Sequence, residues 1–137
     1  GRVLVQTYNP RSPAIACAVG HDYQGFAEIE LDRRRALGYP PFGRMLAVRV
    51  EGSEAGARAA ATALGEAARP ALGPGLAMLG PAPAAIERIR GRSRWHLLFK
   101  GPDAAALRRV HRALAGVALR PPGGASVWFD MDPHSML

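Results

Sequence analysis

Gly38-Tyr39-Pro40-Pro41-Phe42-Gly43 is the segment that most limits what this chain can fold into. Proline has no backbone N–H, its ring clashes with the preceding helical turn, and the residue before it is pushed out of the helical region. Two prolines between two glycines therefore stop any helix arriving from the N-terminal side. Gly38 fits that helix's C-cap, where a left-handed residue is favoured. The break predicts a boundary between residues 1–38 and residues 39–137. The chain of 137 residues is long enough to bury roughly two-thirds of its unfolded surface without a staple.

Before the break, residues 3–7 form a short β-branched run closed by Asn9-Pro10 and read as a buried strand. Pro13 suits a helix's first turn, residues 14–19 continue it, and Gly20 ends it. Asp22 is placed to cap a second helix reaching Leu37, with Tyr23, Phe26, Ala27 and Glu30 at helical spacing. The chain opens Gly1-Arg2-Val3, without an initiator Met or a signal-like segment, and reads as a piece of something longer.

After the break, residues 45–50 read as a strand with Arg49 on the face opposite Val48 and Val50. Ser53-Glu54 opens an Ala-rich helix to about Ala68, and residues 76–79 form a short strand. Gly80-Pro81-Ala82-Pro83 turns the chain again. Residues 84–90 and 94–101 read as a hairpin around Gly91-Arg92-Ser93, with Trp95, Leu97 and Phe99 sharing the parity of a core-facing stripe. Asp103 caps a last helix with one stripe of Leu107, Val110, His111 and Leu114 and another of Arg108, Arg109 and Arg112. Residues 126–131 form the final strand. The order β-α-β-β-β-α-β predicts an α+β fold, a compact mixed sheet with helices packed on it.

Charge is not spread evenly over this pattern. The formal net charge is +7. Residues 88–112 hold Arg88, Arg90, Arg92, Arg94, Lys100, Arg108, Arg109 and Arg112 against the single acid Asp103, which accounts for the whole excess. Arginines two apart on an extended chain put neighbouring pairs on one face, and their crowding there implies an anionic partner to neutralise them. Arg binds phosphate with two parallel hydrogen bonds and stacks on bases. These features predict nucleic-acid contact, with docking of an acidic peptide as the alternative.

Other chemistries find little support. The only lysine, Lys100, lies between Phe99 and Gly101-Pro102 and outside any Gly-x-x-x-x-Gly-Lys-Ser/Thr loop, so that route to a nucleotide is closed. GxSxG, HExxH and CxxC are absent. The lone Cys17 excludes an internal disulfide and leaves a Cys-based zinc site without partners. Asp130, Asp132 and His134 alternate along the C-terminal strand and could converge on a hard cation, but two carboxylates pairing with adjacent arginines is the simpler account. The longest uncharged runs fall far short of the ~20 apolar residues of a membrane helix.

Leu79-Gly80-Pro81-Ala82-Pro83 and the run Arg90-Gly91-Arg92-Ser93-Arg94-Trp95-His96-Leu97-Leu98-Phe99-Lys100 closely resemble the C-terminal domain of the PriA family, the primosomal replication-restart helicases (primosomal protein N-prime). Val3-Leu4-Val5-Gln6-Thr7-Tyr8-Asn9-Pro10 resembles the strand that follows that family's last helicase motif. Arg33-Arg34-Arg35-Ala36-Leu37-Gly38-Tyr39-Pro40-Pro41-Phe42 resembles its junction, and Asp130-Met131-Asp132-Pro133-His134-Ser135-Met136-Leu137 its usual ending.

The resemblance implies that residues 1–38 are the tail of the second RecA-like helicase lobe. Residues 39–137 would be a C-terminal domain whose fold is similar to a small ribosomal-subunit protein. It implies an ATP-dependent 3′→5′ DNA helicase as the parent, bacterial, cytoplasmic and nucleoid-associated, with ATP/Mg and zinc bound elsewhere and no cofactor or catalytic residue in this segment. The implied partners are forked or single-stranded DNA, other primosome proteins and the acidic C-terminal tail of single-stranded DNA-binding protein (SSB); no membrane is implied. DNA contact would fall to Arg88, Arg90, Arg92, Arg94, Lys100, Arg109 and Arg112. The family's SSB pocket uses a basic side chain where this chain has Ala104, and Arg108, one helical turn on, is the residue placed to supply the charge. The remaining alternatives are a domain that binds the SSB tail without touching DNA and an RNA-binding module of ribosomal type.

Overall fold

The computed structural model describes residues 1–133, and two compact units are separated within it, Gly1–Leu37 and a second that begins at Gly38. In the first unit, α1 (Pro13–Val19) starts with its proline in the first turn, and α2 (Tyr23–Leu37) follows. Asp22 Oδ1 accepts the Gly25 N–H at 2.9 Å, satisfying one of the donors a helix start leaves open. No residue of either helix is buried.

Residues 3–7 are not a strand. They have no ladder partner, and Val3 and Leu4 are 90% and 97% exposed. Strand propensity is realised only against an edge that can pair with it. Every strand among the described residues belongs to the sheet of the second unit.

That sheet follows the order β1 (Arg44–Gly52), α3 (Glu54–Ala68), β2 (Ala77–Ile89), β3 (Arg92–Gly101), α4 (Ala104–Leu119), β4 (Ser126–Met131). The strands lie in the order β2-β3-β1-β4, the split βαββαβ arrangement. The α+β class is as the sequence predicts. All three pairings are antiparallel, so the expected mixed sheet is a purely antiparallel one.

Two of the expected strands are one. Gly80-Pro81-Ala82-Pro83 does not reverse the chain: β2 runs through it, with the register slipping between Leu79 and Ala82 and again between Pro83 and Arg88. Prolines are tolerated because β2 is an edge strand, where a missing N–H costs no ladder bond on the open side. Gly80 has φ +89°, and a Cβ there would sit 2.7 Å from the His96 carbonyl oxygen, so the slip requires glycine.

Both helices cover one face of the sheet. Leu46, Val48, Val50, Leu97 and Phe99 are buried against Ala57, Ala60, Ala61 and Leu64 of α3 and Leu107, Val110 and Leu114 of α4. Period two on the strands and period 3.6 on the helices bring these apolar stripes together. Trp95 packs at the margin of this core, on the parity of Leu97 and Phe99. The helix caps form where expected: Ser53 Oγ accepts the Gly56 N–H at 3.1 Å and Asp103 Oδ1 the Ala106 N–H at 2.7 Å. The opposite face carries a second, smaller cluster of Met45, Ala47 and Leu98, against which Tyr39 packs. No helix among the described residues is long and apolar enough to cross a membrane.

Candidate nucleic-acid interface

The hairpin between β2 and β3 separates the four arginines that the sequence groups together. Ile89 pairs with Arg92, and Arg90 and Gly91 both have positive φ, 49° and 77°. The reversal is therefore a two-residue turn of the kind that matches strand twist, placed one residue earlier than expected. Arg88, opposite the buried Ser93, faces the helix side. Arg92 and Arg94 face the other side, and Arg90 stands exposed at the tip.

Three of the four have carboxylate partners within the domain. Arg88 Nη2 lies 3.1 Å from Glu54 Oε2 at the start of α3. Glu51 on β1 serves two others, 3.2 Å from Arg94 Nε and 3.9 Å from Arg92 Nε. Arg92 Nη2 also donates to the Glu51 carbonyl at 3.1 Å and to Ser126 Oγ at 3.3 Å. The expectation that only an outside anion could neutralise this cluster is thus corrected. Its counter-charges come from β1 and α3, distant in sequence and adjacent in the sheet. The Arg88–Glu54 pair is exposed and contributes only about 0–1 kcal/mol, so an anion can compete for it, whereas the Arg94 side chain is only 14% exposed in its pair with Glu51. Arg90 makes no ion pair among the described residues.

On α4, Arg108, Arg109 and Arg112 are all exposed, and none has an ion-pair or hydrogen-bond partner among the described residues. Arg108 and Arg112 are four apart and share a line along the helix, a like-charge spacing that is mildly unfavourable by itself. Residues 104–119 contain no acid, and Ala105 and Gly116 keep the surroundings of the three cations low. This is a positive face without internal neutralisation. His111, expected in the apolar stripe, is exposed at its margin, edge-on to Phe129 with ring centroids 4.5 Å apart.

Lys100, next to last in β3, has its Nζ 5.0 Å from the centroid of the Tyr39 ring, a cation–π contact. Asp130 and Asp132 do not converge. Asp130 Oδ2 meets Arg49 Nη2 at 3.4 Å. Asp132 meets Arg44 Nη2 at 2.6 Å and accepts the Met45 N–H at 2.9 Å. His134 lies outside the described residues, among which no group of three potential ligands could hold a metal ion.

Two residues escape a reading by linear charge density. Glu51 is isolated in sequence and central in space. Trp128, 48% exposed on the helix-free face, has the alternate parity to Val127 and Phe129 as its only sequence signal.

Fold and charge together define an antiparallel βαββαβ domain with an acid-free cationic helix on one side and an open sheet face on the other. The chain belongs to the family described as the primosomal protein N C-terminal domain, whose model matches residues 35–134. It is 36% identical over 137 residues to the replication restart protein PriA of Synechocystis sp., covering 99% of this chain and 16% of that protein. It is 33% identical to that of Treponema pallidum, covering 100% of this chain and 21% of the relative. For the Thermotoga maritima protein the identity is 36%, over 83% of this chain and 15% of the relative. The chain thus spans a minor part of each relative's length. Among solved structures, the designed protein Foldit4 shares the fold alone, with TM-score 0.50 and 13% identity over 68% of this chain and 99% of that one.

Proposed function

We propose that this chain is the DNA-contacting and partner-docking C-terminal part of a replication-restart helicase, acting through phosphate contacts and carrying no nucleotide site of its own. The α4 face carries the reading: Arg108, Arg109 and Arg112 stand together with no carboxylate partner among the described residues. Arg90 at the hairpin tip adds a further unneutralised cation. Arg88, Arg92, Arg94 and Lys100 contribute where a phosphate displaces their internal partners. Such a surface offers phosphate donors and few base-reading groups, so binding is weak and without sequence preference. Nucleotide and zinc sites would belong to other parts of the parent.

Binding of labelled single-stranded DNA against salt tests this. With about five phosphates neutralised, affinity falls roughly a hundredfold between about 50 and about 200 mM salt. Replacing Arg108, Arg109 and Arg112 by Ala should lower the logarithmic slope by about 2. An unchanged slope would remove α4 from the interface.

A second reading is favoured by Arg108, which has no partner among the described residues and lies one turn beyond the half-buried Ala104. A guanidinium there can grip the terminal carboxylate of an acidic SSB tail with two hydrogen bonds. Arg108→Ala should then weaken an acidic tail peptide by roughly tenfold or more, since charge-assisted bonds contribute about 1.5–3 kcal/mol. Equal affinity in the variant would exclude that contact.

A further inference from the structure

The shape of α4 narrows what its cations can meet. Ala105, Arg108, Arg112 and Gly116 recur at intervals of three and four, so they form one line along the exposed side of the helix. Leu107, Val110 and Leu114 hold the other side in the core. Arg109, also exposed, flanks the line. Gly116 is the unexpected member, because glycine weakens a helix interior relative to alanine. The fold explains the two glycines of α3: a Cβ at Gly56 would lie 2.7 Å from the Gly123 carbonyl oxygen, and one at Gly65 would lie 3.2 Å from Pro81. A Cβ at Gly116 would meet nothing within 4 Å. Nothing inside the described domain requires this glycine, and it stands on the same line as the arginines.

The line is thus low at both ends and cationic between them, a form that lets a bulky anion come close to the helix backbone. Unpaired nucleic acid is held by cations together with aromatic rings on which its bases stack. The α4 sequence has no Phe, Tyr or Trp, and its one ring, His111, is engaged edge-on with Phe129. Duplex DNA asks for no stacking partner. It carries one negative charge per about 1.7 Å of its axis, so Arg108 and Arg112, about 6 Å apart along the helix, both find phosphates on a ligand that is already rigid. Its major groove, about 12 Å wide, admits an α-helix.

We infer that the nucleic acid met by α4 is double-stranded. The helix lies along the major groove, with Ala105 and Gly116 letting its backbone approach and Arg108, Arg109 and Arg112 reaching the phosphates that border the groove. The contact reads shape, not sequence. It rests on the proposed function's premise that α4 touches nucleic acid, and it names the form that this nucleic acid takes.

The test compares a short A·T-rich DNA duplex with a single strand carrying the same number of phosphates, at low salt. The duplex should bind the wild-type chain roughly tenfold more tightly, given its higher charge density. Methyl green, which occupies the major groove, should displace the protein, and netropsin, which occupies the minor groove, should not. Gly116→Leu adds bulk without charge and should weaken duplex binding severalfold while leaving the single strand unchanged. The same variant should melt at a higher temperature, because Leu is the better helix former and its Cβ meets open space. A glycine with a purely structural role would give a lower melt and unaltered binding. Equal wild-type affinity for the two forms, displacement by netropsin and not by methyl green, or unchanged duplex affinity in Gly116→Leu overturns the groove contact. The α4 phosphate reading survives those results if Arg108/Arg109/Arg112→Ala still lowers the salt slope. Binding of neither form at low salt, with an acidic peptide bound instead, overturns both.

Discussion

The Glu51 carboxylate lies 3.2 Å from the Arg94 Nε on the adjacent strand, and the same acid reaches Arg92 at 3.9 Å. One carboxylate therefore holds two of the arginines that would otherwise be free for phosphate. Any anionic ligand on this side must first compete with it. Glu51→Gln removes the competitor while keeping the shape, and should raise affinity for single-stranded DNA severalfold at low salt. Because the Arg94 side chain in this pair is only 14% exposed and Glu51 30%, the loss should exceed the about 0–1 kcal/mol of an exposed pair and lower the melting temperature measurably. Unchanged affinity would show that Arg92 and Arg94 take no part in binding.

The α4 cations are presented by a helix whose start depends on Asp103, through its bond to the Ala106 N–H. Asp103→Ala should cost about 1 kcal/mol, lowering the melting temperature by roughly 5 °C. Asp103→Asn should recover most of the loss. Calorimetry of the three proteins checks this.

Two glycines of the β2–β3 hairpin separate backbone strain from steric conflict. Gly80 and Gly91 both have positive φ, but a Cβ at Gly91 meets open space whereas one at Gly80 meets the His96 carbonyl. Gly91→Ala should cost about 1 kcal/mol from the backbone conformation alone. Gly80→Ala should cost more, because the edge strand must also move. Denaturant melts giving equal losses would contradict the account of the β2 register slip.

Residues from Gly38 onward contain the whole of the main core, including Leu46, Phe99 and Leu114. A chain beginning at Gly38 should therefore melt cooperatively by circular dichroism, with the wild-type salt dependence of DNA binding. A non-cooperative melt would mean that the first unit is needed for this core to form.

What the sequence makes legible here is local. The cap residues Asp22, Ser53 and Asp103 act within three positions of themselves, and the stripe of Leu107, Val110 and Leu114 lies within two helical turns. What it hides depends on pairing. Residues 3–7 have strand propensity and no edge to meet. The prolines after Gly80 signal a turn, but an edge strand absorbs them as a register slip. The charge excess of residues 88–112 is real, yet its neutralisation by Glu51 and Glu54 appears only once β1 lies beside β3 and α3 begins beside the hairpin. Trp128 is one aromatic among others until the register places it beside Arg49.

The interrupted edge of β2 has a further consequence, for how copies of this protein coexist at high concentration. An open antiparallel sheet has two borders where a foreign strand might add and start a polymer. On one border, Pro81 and Pro83 and the two register slips break the regular row of donors and acceptors that a new strand would require. The other border is β4, only 6 residues long, with the charged Asp130 near its end. Neither offers a long flat template, so crowded copies of this domain would stay as separate molecules and not seed fibres.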